Sequence, residues 1–186
     1  MTIVKTNFPS SSILTNNHKK YNYFDSFQGT LFDGEHKFKP IDVVKAFFST
    51  GPTWVGKLFN LRNKIVSIFG LKTSGKLVDR KMQLDNLKCE PGEQLGLFRV
   101  FNSTDKEIVL GEDDKHLNFR VSLYLEQSLT DQLRKDLTIS TTVEFNNWFG
   151  RLYFLIVKPF HQIIVPYMMK GIIKELEKQN KTESGK

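Results

Sequence analysis

Residues 148–178, WFGRLYFLIVKPFHQIIVPYMMKGIIKELEK, form the longest apolar-rich run of the chain and decide its fold. Apolar residues recur in this run at helical spacing, which predicts one long helix that packs against the rest of the protein. Pro159 and Pro166 each remove a backbone donor, so we expect the helix to bend. The predicted inward stripe consists of Phe149, Leu152, Tyr153, Ile156, Phe160, Ile163 and Tyr167.

The same run is long enough to span a bilayer, which requires about 20 residues. Residues 148–169 are interrupted, however, by Arg151, Lys158, His161 and Gln162. A lysine at the centre of a spanning helix costs on the order of 3 kcal/mol to insert. The sequence therefore favours a helix that packs on the protein, or touches a membrane from its surface, over one that spans the membrane.

Short segments of alternating polarity precede this helix. Residues 117–126 and 137–145 place apolar side chains at every second position, which predicts strands with one buried face. Further strands are predicted at 21–28, 95–101 and 107–111. Consecutive strands with short links form an antiparallel meander. We therefore expect a curved antiparallel sheet with the long helix across its apolar face.

Two short helices are predicted between the first strand and the meander. Pro40 suits a first helical turn, and the apolar residues of 41–48 share one face. Pro52 begins a second helix, whose apolar stripe ends before Gly70. The Pro and Gly residues between the two helices predict a V rather than one rod.

Length and composition predict a single domain. The chain of 186 residues, 39% hydrophobic and 25% charged, can bury a core and does not resemble a disordered segment. We expect residues 1–18 to be an irregular lead-in, 19–178 the domain and 179–186 a flexible tail. Cys89 is alone, and the first residues lack the apolar core of a signal peptide, so we expect a cytoplasmic protein.

The net charge of +7 is concentrated in one segment. Residues 57–88 contain eight Lys or Arg against two Asp, a net of +6. Such a segment can attract anionic lipid or an acidic partner. It lacks the interleaved aromatic residues and the modules of nucleic-acid-binding proteins, so no nucleic-acid partner is predicted.

Three stretches carry a family resemblance: YFDSF at 23–27, PTWVGKLFNLRNKIVSIFGLK at 52–72 and FNNWFGRLYFLIVKPFHQIIVPYMM at 145–169. Together they resemble domain-of-unknown-function family 2867, which is bacterial and similar to the helix-grip superfamily of START domains, birch-pollen allergens and polyketide cyclases (SRPBCC). The resemblance implies an α+β helix-grip fold, in which a curved antiparallel sheet wraps around a long C-terminal helix and two short helices follow the first strand. It also implies an interior cavity for an apolar or amphipathic ligand, but no particular activity.

The predicted site is this cavity, between the sheet and the long helix. Its polar candidates are Asp25, Arg62 and Arg151. Arg62 could pair with Asp25, and Arg151 could bind a ligand carboxylate or phosphate, or pair with Glu144 or Asp25. The predicted lining consists of Trp54, Leu58, Phe119, Val121, Leu123, Ile139, Val143, Tyr153, Ile156 and Phe160.

Three functions remain open. The first is a soluble protein that binds a hydrophobic or amphipathic small molecule, which the 16 phenylalanines favour. The second is a cyclase- or hydrolase-like enzyme with His161 or Tyr153 as the acid–base group, although His161 could simply bond locally beside Pro159. The third is a module that docks on a membrane or partner through residues 57–88.

Metal, cofactor and covalent chemistry are not predicted. The four histidines are scattered without the spacing of metal ligands, and Cys89 belongs to no nucleophile motif. The sequence does not indicate the ligand's identity, the oligomeric state or the pathway.

Overall fold

The computed structural model describes residues 1–50, 86–96 and 98–183, without the side chains of 16–19 and 181–183. It confirms the α+β class and the first predicted short helix, whereas the second, at 52–69, lies outside the described residues. The elements are β1 (Ile3–Thr6), the 3₁₀ helix η1 (Ile13–Lys20), β2 (Tyr23–Phe32), α1 (Pro40–Ser49), β3 (Gln94–Leu95), β4 (Phe98–Ser103), β5 (Glu107–Asp113), β6 (Leu117–Gln127), β7 (Arg134–Phe145) and α2 (Trp148–Glu183).

The strands form one curved, seven-stranded sheet in the order β1-β2-β7-β6-β5-β4-β3. Every pair of neighbouring strands is antiparallel. The predicted meander is thus confirmed, but the single strand expected at 95–101 is divided: Leu95 ends β3, and β4 begins at Phe98. The chain turns at Gly96, which has a φ of +61°, so that β3 folds back on β4. Positive φ favours glycine, which explains why the strand breaks there.

We call the side of the sheet that packs on the helices the inner face. Phe27, Ile139 and Leu123 lie side by side on it, in register across β2, β7 and β6. The C-terminal half of α2 packs on this face through four fully buried side chains, and burying each stabilises the fold by about 1.5–3 kcal/mol. These side chains are Met169, Ile172, Ile173 and Leu176.

The opposite, outer face carries polar side chains and holds the N-terminal segment. Glu107 on β5 is 2% exposed. Its carboxylate accepts hydrogen bonds from the Ser12 hydroxyl at 2.7 Å, the Ile13 amide at 2.8 Å and the Ser122 hydroxyl. Because a buried carboxylate requires such partners, the segment around Ser12 is fixed to the sheet. The irregular lead-in predicted at 1–18 is therefore wrong, since it contains β1 and most of η1.

The inward stripe predicted for α2 is also wrong in most of its members. Leu152, Ile156, Phe160, Ile163 and Tyr167 are 48%, 54%, 47%, 66% and 53% exposed. The first half of the helix is apolar on several sides, so its periodicity does not identify the side that meets the sheet.

The C-terminal end of α2 differs from its prediction as well. The helix continues to Glu183, where a flexible tail was expected from residue 179. Asn180 is buried, and its amide donates to the Phe32 carbonyl at 3.2 Å. This bond ties the end of the helix to β2.

The N-terminus of α2 is fastened to the turn between β5 and β6. The Asn147 side chain donates to the Lys115 carbonyl and accepts from the Gly150 amide, both at 3.0 Å. A Cβ atom at Gly150 would collide with the backbone carbonyl of His116. At Gly171, by contrast, the nearest atoms belong to Thr50 at 3.5 Å, an ordinary contact.

We predict opposite effects for the same substitution at these two glycines. Gly150→Ala should lower the free energy of unfolding by about 1–3 kcal/mol, because backbone atoms must move apart. Gly171→Ala should raise it by about 0.5–1 kcal/mol, because alanine favours the helix and meets no obstacle. Urea denaturation of both variants checks this, and equal effects would contradict the close contact at Gly150.

Candidate functional site

A polar group interrupts the apolar inner face. Asp25 on β2 pairs in register with Thr141 on β7, which in turn pairs with Val121 on β6. The next pairs along the strands, on the same face, are Tyr23 with Val143 and Phe27 with Ile139. Asp25 and Thr141 therefore lie between two otherwise largely apolar rows.

The Asp25 carboxylate joins the sheet to the first half of α2. His161 Nε2 lies 3.1 Å from Asp25 Oδ1, and the Tyr23 hydroxyl donates to Oδ2 at 2.6 Å. The side chain of Asp25 is 1% exposed and that of His161 is 16% exposed. Both carboxylate oxygens thus have a partner, as burial of this group demands.

Tyr23 stays protonated in this arrangement. Burial raises the pKa of its phenol, and the hydrogen bond to Asp25 and the negative charge of that carboxylate raise it further. The phenol is therefore a hydrogen-bond donor at any physiological pH. Its ring packs on Phe154, with the ring centres 4.7 Å apart, and carries the Lys158 ammonium at 5.3 Å.

Thr141 contributes a buried hydroxyl beside this pair. The residue is 5% exposed, and its Oγ1 has no hydrogen-bond partner within the part of the chain that the structure describes. A buried hydroxyl without a partner costs about 1–3 kcal/mol. Thr141 therefore marks a position on the inner face, beside a buried carboxylate, where the hydrogen bond that burial normally requires is missing among the described residues.

Apolar side chains lie on both sides of this polar group. Ile139 and its neighbours across the strands, Phe27 and Leu123, belong to the main core. Val143 belongs to a smaller cluster with Leu117 and Phe154. Partly buried rings lie along the inner face where α1 and β4 approach β6, and they meet edge to face with centres 5.2–5.7 Å apart. These rings are Phe47, Phe48, Phe98 and Phe119.

The predicted lining residues fall into four groups. Leu123 and Ile139 are buried in the main core, and Val143 in the smaller cluster. Phe119, Val121 and Tyr153 are partly buried against these clusters. Ile156 and Phe160 are exposed. Trp54 and Leu58 lie outside the described residues.

Of the predicted polar candidates, the structure describes Asp25 and Arg151. Asp25 and His161 come together, so the local bond expected for His161 beside Pro159 is wrong. Arg151 is exposed, with its guanidinium 6.0 Å from the centre of the Phe145 ring. Arg62 lies outside the described residues, so its pairing with Asp25 stays a prediction. Among the described residues the partners of Asp25 are His161 and Tyr23, not Arg151.

Tyr23 and Thr141 were missed as site residues. Tyr23 stands two residues before Asp25, so a strand reading places both on one face. Thr141 occupies an inward position in the alternation of β7, where an isolated polar residue is a signal that could have been read.

The site holds hydrogen-bonding groups without a metal-binding set. The described residues contain no group of three His, Cys, Asp or Glu side chains that could hold a metal ion. A carboxylate that orients an imidazole can support proton transfer, and it can equally bind a polar group of a ligand.

A separate pocket of about 230 Å³ on the outer face includes Arg120 and Glu144 in its lining, and it is below the usual ligand range of about 300–1,000 Å³.

We predict that Asp25 stabilises the packing of α2 on the sheet. Asp25→Asn should lower the free energy of unfolding by about 1–3 kcal/mol, because an amide cannot accept from both Tyr23 and His161. Asp136→Asn is the matched control, since Asp136 accepts one bond, from the Thr30 hydroxyl at 2.8 Å, that an amide oxygen can keep. Urea denaturation measures both, and equal losses would contradict a special role for Asp25.

Cys89 should be inert in the folded protein. Burial raises the pKa of its thiol to about 11, and the negative charge of Glu93 adds to this. At neutral pH we expect a thiol reagent to modify Cys89 only after denaturation. The pKa of the thiol in the folded protein exceeds the unfolded value of 9.0. The contribution of the protonated Cys89 thiol to the free energy of unfolding is therefore present below pH 9 and is lost as the pH rises towards 11. Rapid modification of the native protein would contradict this.

Comparison with known proteins identifies a family. The family model described as Protein of unknown function (DUF2867) matches residues 18–168. This range includes Tyr23, Asp25, Thr141 and His161. No curated protein and no solved structure matches the chain. The family prediction is thereby confirmed, and the helix-grip superfamily stays a prediction.

Proposed function

Because the chain belongs to the DUF2867 family of proteins of unknown function, we propose a function from its own geometry. The protein binds an amphipathic small molecule on the inner face of the sheet, beside the first half of α2. The apolar body of the molecule packs on the aromatic side chains, and its polar end, a hydroxyl, bonds to Thr141 and Asp25. The observation that carries this proposal is the buried hydroxyl of Thr141, which has no hydrogen-bond partner among the described residues.

The surroundings of Thr141 support a ligand of mixed polarity. Small-molecule sites are mostly apolar and contain a few placed polar groups. Phe98, Phe119 and Val121 are only partly buried although they lie on the inner face, so they keep surface for a ligand.

The hydrogen-bonding groups favour a hydroxyl over an anion. The carboxylate of Asp25 accepts hydrogen bonds and repels a negative group, whereas a threonine hydroxyl both donates and accepts. An alcohol can donate to Asp25 while it accepts from Thr141. The ammonium of Lys158 lies over the Tyr23 ring, and the residue is exposed. Among the described residues no bond directs it towards Thr141.

Catalysis at the same place is a second candidate, favoured by one observation. His161 is held in a fixed orientation by Asp25, as a general base requires. Under this alternative His161 accepts a proton from a water molecule that attacks the carbonyl carbon of an ester; the ester bond breaks, and an acid and an alcohol are released. Mass spectrometry of an added long-chain ester would then recover the acid and the alcohol, whereas recovery of the unchanged ester favours binding alone.

The first test is native mass spectrometry of freshly purified protein, followed by analysis of any released molecule. We expect a stoichiometric apolar molecule that carries a hydroxyl. A fluorescent long-chain alcohol should also bind about tenfold more tightly than its methyl ether, which cannot donate to Asp25. Equal binding of the alcohol and the ether would contradict the polar anchor.

Thr141→Val should separate ligand binding from stability. The valine removes a buried hydroxyl that has no partner in the described part of the chain, so the free energy of unfolding of the empty protein should rise by up to about 1 kcal/mol. The preference for the alcohol over the ether should fall. Thr142→Val is the matched control, because Thr142 is 1% exposed on the outer face and bonds to Tyr21. It should lose stability and keep the preference. The reverse pattern would exclude Thr141 as the anchor.

A further inference from the structure

The side of α2 that points away from the sheet is apolar and exposed along its first half. Trp148, at the start of the helix, is 76% exposed. Single exposed apolar residues are ordinary, but a continuous apolar surface of this kind marks an interaction site. We call this surface the outward patch; it consists of Leu152, Leu155, Ile156, Phe160 and Ile163, which are 48%, 69%, 54%, 47% and 66% exposed.

The helix is not a core helix that merely looks like a membrane segment. By length and composition, Trp148–Asn180 could cross a membrane, and only 17% of its most apolar stretch is buried. Its other side is nevertheless fastened to the sheet by Phe154, by the His161–Asp25 bond and by Met169. Because spanning would break these contacts, the outward patch can meet a membrane only with the helix parallel to its surface.

The charged residues beside the outward patch indicate which kind of membrane surface it fits. Between Trp148 and Lys174 the charged residues are Arg151, Lys158, Lys170 and Lys174, and none is acidic. All four are exposed. Lys170 and Lys174 follow Ile163 by seven and eleven residues, which places them on the same side of the helix as the patch. An apolar surface that continues into basic residues is complementary to an anionic bilayer.

We propose that the outward patch docks on an anionic membrane surface. The apolar side chains enter the boundary between head groups and acyl chains, and Lys170 and Lys174 bind the anionic head groups. A second copy of the chain fits less well, because residues 148–174 contain no acidic side chain that could pair with Lys170 and Lys174 in a symmetric dimer. This docking does not depend on the proposed ligand, since the patch lies on the opposite side of the helix from His161.

The experiment is flotation of the full chain with two kinds of vesicle. One contains phosphatidylcholine alone, and the other contains equal parts of phosphatidylcholine and phosphatidylglycerol. We expect binding to the anionic vesicles that weakens as salt is added, because screening shortens the reach of the lysines. In a Trp54→Phe background, the emission of Trp148 should shift to the blue on binding. Absence of binding, or equal binding to both vesicles, overturns the proposal.

Matched variants locate the contact. Phe160→Glu should lower binding by at least about tenfold, whereas Leu129→Glu, at a position 101% exposed in the turn after β6, should leave it unchanged. Lys170→Glu should also weaken binding, and Lys106→Glu, an equal charge change in the turn before β5, should have less effect. Far-UV circular dichroism verifies that each variant is folded. Equal loss in the control variants overturns the assignment to α2.

Analytical ultracentrifugation tests the alternative that a second copy of the chain, rather than a membrane, covers the outward patch. We expect a monomer in the absence of vesicles. A dimer that Phe160→Glu dissociates would show that a second copy covers the patch, and it would overturn the proposal.

Discussion

One constraint governs this structure: α2 is apolar on more sides than a single sheet can cover. Its C-terminal half has one narrow apolar side, formed by residues such as Met169, Ile172 and Leu176, and these side chains are completely buried. Its N-terminal half carries apolar residues on both the sheet side and the outward side. The sheet covers one of them, and the other is left exposed.

The bond between Asp25 and His161 determines which side of the first half meets the sheet. A carboxylate buried on the inner face needs donors, and among the described residues the helix turn that carries His161 supplies one beside Tyr23. Hydrophobic contact alone has no direction, whereas a hydrogen bond fixes one rotation of the helix. The polar pair thus orients the helix and at the same time places a polar position among apolar side chains.

The two proposals follow from the two sides of the same helix. On the sheet side, Thr141 keeps a buried hydroxyl beside Asp25 and supports the binding of a hydroxylated ligand. On the outward side, the apolar patch and the basic residues that follow it support contact with an anionic bilayer.

The sequence by itself determined the α+β class, the antiparallel strands at 117–126 and 137–145, the first short helix and the long C-terminal helix, because each depends on a local period of apolar residues. It also singled out Asp25 and His161, but as separate residues. The tertiary structure alone decided that they meet across 136 positions of the chain, that Glu107 fixes the N-terminal segment, and which side of α2 is exposed. These outcomes depend on contacts between distant segments, and a helix that is apolar on several sides carries no periodic signal that could foretell them.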